Sequence, residues 1–178
     1  MEEELKVSLG KNNFIFVVAQ NDLFAEDIPD EWIRKILKRC EMFENKYLFQ
    51  TKNPFRFWDY IDACVISDKS VLCTTIETNR HYPEIMKNAP KPEDRVKAMY
   101  EISDVIETYI TMEPIMDFDL APVVDFIWMC KPLQVNIGAD SGNNHLPEPG
   151  KEKILRLIEE LEKFTKVKQK TNLKRLLK

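Results

Sequence analysis

Six times along this chain a short strand-like run ends in polar residues and gives way to a helical pattern. That recurrence constrains the fold more than any other feature. The runs are FIFVVA (14–19), YLFQTK (47–52), VLCTTIE (71–77), YITME (109–113), LQVNIGA (133–139) and a weaker sixth, KVKQK (166–170). They recur at close to the ~30 residues of a strand–helix–strand unit. In the clearest stretch, VLCTTIETNR (71–80), Cys73, Thr75 and Glu77 share one face of a strand, with Leu72, Thr74 and Ile76 on the other. Near-continuous apolar strands alternating with helices predict an α/β fold with a parallel sheet. A complete eight-unit barrel takes about 250 residues, and the chain has 178. The expectation is therefore a partial, open TIM-type βα barrel of about six parallel strands with outer helices. It spans 1–178 as one domain, with an irregular lead-in over 1–12 and a basic segment over 164–178.

Between the strands, helices are expected after Asp27 or Asp30 as caps, over 55–62 behind Asn53-Pro54, from Pro92, over 120–131 and over 151–164. A loop of 14 residues, TNRHYPEIMKNAPK, separates the third strand from the Pro92 helix. A loop of that length is where functional segments are over-represented. The pairs Thr75/Glu77, Thr111/Glu113 and Gln134/Asn136 put polar groups two residues apart on one strand face. A flat sheet covered by helices on both sides would bury them against apolar surface, whereas the lumen of a barrel can hydrate them. This favours a barrel.

Ligands of parallel βα arrays bind beyond the carboxyl ends of the strands. There the pattern places Asp22, Glu77, Glu113, Asp117 and Asp140, together with Lys52, Thr75, Asn79, Arg80 and Asn136. Carboxylates in one layer suit a divalent cation, acid–base work, or the hydroxyls and amine of a ligand. A metal site would draw on Glu77, Glu113, Asp140 and His145. Arg80, Lys52 and Asn79 suit an anionic group. Clustered carboxylates repel, so neutralising Glu77 or Glu113 is expected to leave stability unchanged or raised. His81 and His145 are expected in exposed loops. Asp119 alternatively caps the helix that follows it.

No GxGxxG, GKS/T, GxSxG or HExxH motif occurs, which leaves several common enzyme classes without support. The four cysteines, Cys40, Cys64, Cys73 and Cys130, lie far apart, as expected of buried free thiols rather than zinc ligands or disulfides. The first ten residues lack a signal-peptide profile, and no apolar run is long enough to span a membrane, so a cytoplasmic protein is expected. A net charge of −4 argues against the whole surface contacting nucleic acid. The six basic residues from Lys166 onward, with no acidic ones, keep a nucleic-acid contact there as a weak alternative.

The blocks FAEDIPDEW, YLFQTKNP, TTIETNR, APKPEDRVKAM, MEPIMDFD and VNIGAD, in that order, resemble a bacterial and phage-associated family of unknown function with radical-SAM-like sequences. The resemblance implies a radical-SAM-like partial barrel with S-adenosylmethionine across its C-terminal strand ends. By motif position it points to Glu77, Asn79, Glu113, Asn136 and Asp140 for ligand contact. Complete members carry a CxxxCxxC motif upstream whose thiolates hold a 4Fe–4S iron–sulfur cluster. The cysteines here have a different spacing, so no such cluster is expected in this chain, and radical chemistry is not expected from it alone. The same comparison implies that one or two early βα units are missing. That would leave a sheet edge for a second copy or a partner chain to cover. Three functions remain open at this point: a nucleoside-binding member without its cluster, a metal-dependent lyase, isomerase or hydrolase, and a non-enzymatic phage–host interaction protein.

Overall fold

A computed structural model of the chain describes residues 4–61, 66, 69–142 and 144–178. Six strands form one sheet: β1 (Phe14–Val17), β2 (Lys46–Thr51), β3 (Ser70–Thr75), β4 (Glu107–Met112), β5 (Gln134–Ile137) and β6 (Lys166–Gln169). Their order in the sheet is their order in the chain, and every neighbouring pair is parallel. The helices are α1 (Asp30–Glu41), α2 (Trp58–Ile61), α3 (Pro83–Met86), α4 (Pro92–Ile102), α5 (Leu120–Met129) and α6 (Lys151–Glu162).

A sequential strand order with right-handed crossovers puts the connecting helices on one face of the sheet. That face carries the core. Phe49, Leu72, Ile110, Met112, Val135 and Ile137 of the strands join Ile33 and Leu37 of α1, Met99 and Ile102 of α4, Val123 and Ile127 of α5, and Leu157 and Leu161 of α6. Each such side chain contributes roughly 1.5–3 kcal/mol on burial.

The other face curls inward. The rings of Phe14 on β1 and Tyr109 on β4 lie 6.4 Å apart, edge to face. Three strand spacings would separate those backbones by about 14 Å in a flat sheet. Gln50 of β2 likewise reaches Thr111 of β4 at 3.4 Å, and Lys46 pairs with Glu107 across β3. The fold is a half-barrel with its helices outside, as the strand pattern predicted.

Several boundaries differ from expectation. The first strand stops at Val17, because Val18 takes a left-handed conformation with φ 56°. Regular pairing of β3 ends at Thr75 rather than Glu77, although the chain runs on beside β4: Ile76 N–H donates to Thr111 O, and Glu77 O accepts from Met116. The helix expected over 55–62 opens as a 3-10 turn, Pro54–Phe57, and continues as α2 to Ile61; residue 62 lies outside the described residues. The N-cap of α1 is Pro29, and neither Asp27 nor Asp30 caps it; Asp30 instead accepts from Arg34 and from the Tyr60 hydroxyl.

Candidate functional site

Strand alternation and register together define the inner face. Gln50 lies beside Cys73, Cys73 beside Tyr109 and Tyr109 beside Gln134; one layer further, Thr75, Thr111 and Asn136 are aligned. These side chains touch. Gln50 Nε2 donates to Thr75 Oγ1 at 3.5 Å, Thr111 Oγ1 to Gln50 Oε1 at 3.4 Å, and Asn136 Nδ2 to Thr111 Oγ1 at 3.4 Å. Gln134 Nε2 adds a bond of 2.8 Å to Asn136 Oδ1. Most of these bonds are at the long limit for hydrogen bonds, so a ligand group can replace them at little cost. The Cys73 thiol lies within this ladder, 3.4 Å from Thr111 Oγ1. Burial pushes its pKa up to about 12, although the Thr111 contact opposes the shift, so it is inert as a nucleophile.

Above the ladder stand two compensated carboxylates. Glu77 is 2% exposed. Its Oε2 accepts from Arg95 Nη1 at 2.9 Å, and its Oε1 meets Lys52 Nζ at 2.7 Å. Arg95, wholly buried on α4, also donates to Thr75 O at 2.8 Å and Pro90 O at 2.6 Å, tying the loop before α4 to the end of β3. Its Nη2 has no partner among the described residues. Glu113 pairs with Lys170 and accepts from Asn172 Nδ2 at 2.8 Å. Its carboxylate lies against the backbone of Gly138, where a Cβ would come within 2.5 Å of Oε1. A side chain at position 138 would have to displace that carboxylate.

Asp22 ties the loop after β1 to the end of β2 by accepting from Phe24 N–H of its own loop at 3.1 Å and Lys52 N–H at 2.8 Å. With Phe16, Gln50, Lys52 and Thr75 it lines a hollow of about 220 Å³ at the rim. Asp22, Lys52, Thr75, Glu77, Glu113 and Asn136 thus belong to the inner face and its rim.

The remaining candidates serve the loops. Arg80 grips Asp119 through Nε at 3.1 Å and Nη2 at 2.6 Å and also pairs with Asp117, which accepts from Lys153 Nζ at 2.6 Å. Asn79 Oδ1 accepts from Asp119 N–H at 2.7 Å, while its Nδ2 donates to the Asp119 carboxylate. Arg80 and Asn79 hold Asp119 down to about 2, and Lys153 and Arg80 hold Asp117 below the usual carboxylate range despite opposing burial. Asp119 is the N-cap residue of α5, but its carboxylate serves this knot and not the helix N–H groups. Asp140 organises its own loop by accepting from Gly142 N–H at 3.0 Å and from Asn144. Burial opposes its ionisation, but these bonds outweigh it and keep the pKa low. His81 and His145 are exposed. Among the described residues no three of His, Cys, Asp and Glu are gathered for a metal ion, so Glu77, Glu113, Asp140 and His145 do not form one site.

The three described thiols lie in different surroundings. Cys73 sits in the inner ladder. Cys130 packs between α5 and α4, near Phe126 O and Val96 O, and Cys40 ends α1 beneath Tyr47. All three are buried and free. Cys64 lies outside the described residues.

Sequence reasoning missed Gln50, Arg95, Lys170 and Asn172. Gln50 had a usable signal, since it falls two residues before Lys52 on the same strand face. Arg95, in PEDRVKAM, looks like any solvated helical arginine. No protein-family model, no curated protein and no solved structure matches this chain.

Proposed function

We propose that the protein is a ligand-binding half-barrel that takes S-adenosylmethionine or a related nucleoside across the C-terminal end of its inner face. One observation carries this reading: the hydrogen-bonded ladder of Gln50, Thr75, Thr111 and Asn136, made of long bonds and set at the strand ends where parallel βα folds hold ligands. Hydroxyls and side-chain amides suit ribose and base edges. The flanking Lys52–Glu77 and Lys170–Glu113 pairs suit the carboxylate and amine of an amino-acid moiety. The reading rests on binding at the rim and draws on none of the described thiols, Cys40, Cys73 and Cys130.

Isothermal calorimetry with S-adenosylmethionine and with adenosine tests this. Wild type is expected to bind the former more tightly, and Thr111→Val and Gln50→Leu to weaken both by about 1 kcal/mol each. Absence of heat with either ligand, or variants that bind as wild type does, would overturn it.

A second reading concerns the sheet edge. Among the described residues β1 pairs only with β2, and beside it opens a cavity of about 810 Å³ lined by Ile15, Val17, Ile28, Trp32 and Ile36, with Leu5 and Leu9 of the N-terminal segment. Its run FIFV carries no charge or proline to block edge pairing. Two copies can therefore pair β1 with β1 about a two-fold axis without like charges meeting. Self-association through this edge is compatible with the ligand site and with an interaction role alike.

A further inference from the structure

Away from the rim, toward the N-terminal ends of the strands, the curled inner face forms a trough whose two walls, β1 and β6, differ in chemistry. At one wall, Phe14 and Phe16 stand two residues apart on β1, 54% and 42% exposed, with Tyr109 against Phe14. At the other wall is β6. Its register with β5 aligns Lys166 with Gln134 and Lys168 with Asn136, so both lysines face the trough. Lys170 follows on the same face and reaches Glu113 across β5. Three trough lysines, Lys46, Lys52 and Lys170, have acidic partners. Lys166 and Lys168 are exposed and have none among the described residues. The protein as a whole is acidic at −4, yet this concave surface holds more cations than anions. Between the walls lie amides and hydroxyls, the half-buried Gln50 and Gln134 over the buried Thr75, Thr111 and Asn136.

We propose that this trough binds single-stranded nucleic acid, with phosphates along β6 and bases stacked on the β1 aromatics. Exposed aromatic side chains facing unpaired cations across a polar floor are the chemistry that takes an unpaired strand. Lysines alone would suit an acidic peptide equally well. The two phenylalanines have no use for one, but every base has a face to lay on them. A duplex hides those faces within its stack, so the strand has to be single. The proposal goes beyond the nucleoside reading of the rim and stands or falls separately from it.

Fluorescence anisotropy with labelled oligo-dT and oligo-U, in a series of salt concentrations, tests it on the full chain. Both oligonucleotides are expected to bind, and binding should weaken as salt rises. The double variant Lys166→Glu/Lys168→Glu is expected to lose about tenfold or more. The milder Lys166→Ala/Lys168→Ala variant should flatten the log–log salt slope by about 0.7 per lysine. Phe16→Ala should weaken binding about tenfold while leaving that slope unchanged. Circular dichroism melts establish that each variant is folded, and the wild-type salt series decides the matter if one is not. No binding by wild type at low salt, or a salt slope unchanged in the alanine double variant, overturns the proposal. A polyglutamate peptide that competes as well as oligo-dT does, with Phe16→Ala inert, overturns it in favour of an acidic protein partner. Wild type that binds S-adenosylmethionine but no oligonucleotide sinks the trough and leaves the rim. The opposite result sinks the rim and supports the trough.

Discussion

Glu77 is where the chain commits a charge to its interior, and what surrounds it decides how the rim behaves. A carboxylate 2% exposed persists only with compensation, and Arg95, wholly buried, provides it at 2.9 Å. Repulsion among rim carboxylates would make Glu77→Gln neutral or stabilising. The counter-charges reverse that sign, because the substitution leaves the Arg95 guanidinium buried without its partner. Urea denaturation is expected to show a loss of about 3 kcal/mol for Glu77→Gln, and under about 1 kcal/mol for Lys52→Met, whose side chain is half-exposed. Unchanged stability in Glu77→Gln would mean that Arg95 does not depend on this pair. The inward direction of Glu77 was legible from its period-2 spacing to Thr75 and Cys73. Its partner was not, because an arginine in a helix is normally solvated, whereas this one is buried against the Pro90 loop and the end of β3. Asn79, Arg80, Asp117 and Asp119 fall into one knot for a related reason: the sequence places them on one rim, and only loop geometry pairs them.

At the scale of elements, strand type and order followed from hydrophobic pattern, while ends did not. A strand stops where the backbone turns, and the turn of Val18 at φ 56° leaves no signal in FIFVVA. The stripe on α1 is a comparable case. Ile33, Leu37 and Cys40 are buried as its periodicity requires, yet Trp32 is 42% exposed where α1, β1 and the N-terminal Leu5 and Leu9 line the edge cavity. Light scattering is therefore expected to report a dimer at micromolar concentration, and Phe16→Lys together with Val17→Lys, which place charges along β1, to return it to monomer. A wild-type monomer with slowly exchanging β1 amides would show that the edge needs no second copy.

For the whole molecule, the half-barrel was legible because three facts agree: spacing, parallel strand character and paired polar positions that no two-sided sheet would tolerate. Sequential order then puts the connecting helices on the outer face and leaves the polar ladder on the inner one. The central claim is that this inner face, and not the edge cavity, is where a small ligand binds. Methyl NMR with labelled threonine and isoleucine during titration with S-adenosylmethionine tests it most directly. The account predicts that the Thr75 and Thr111 methyls shift while Ile110 and Ile137, behind the sheet in the helix-facing core, stay in place. Shifts confined to Ile15, Ile28 and Ile36 around the edge cavity, with Thr75 and Thr111 unmoved, would contradict it.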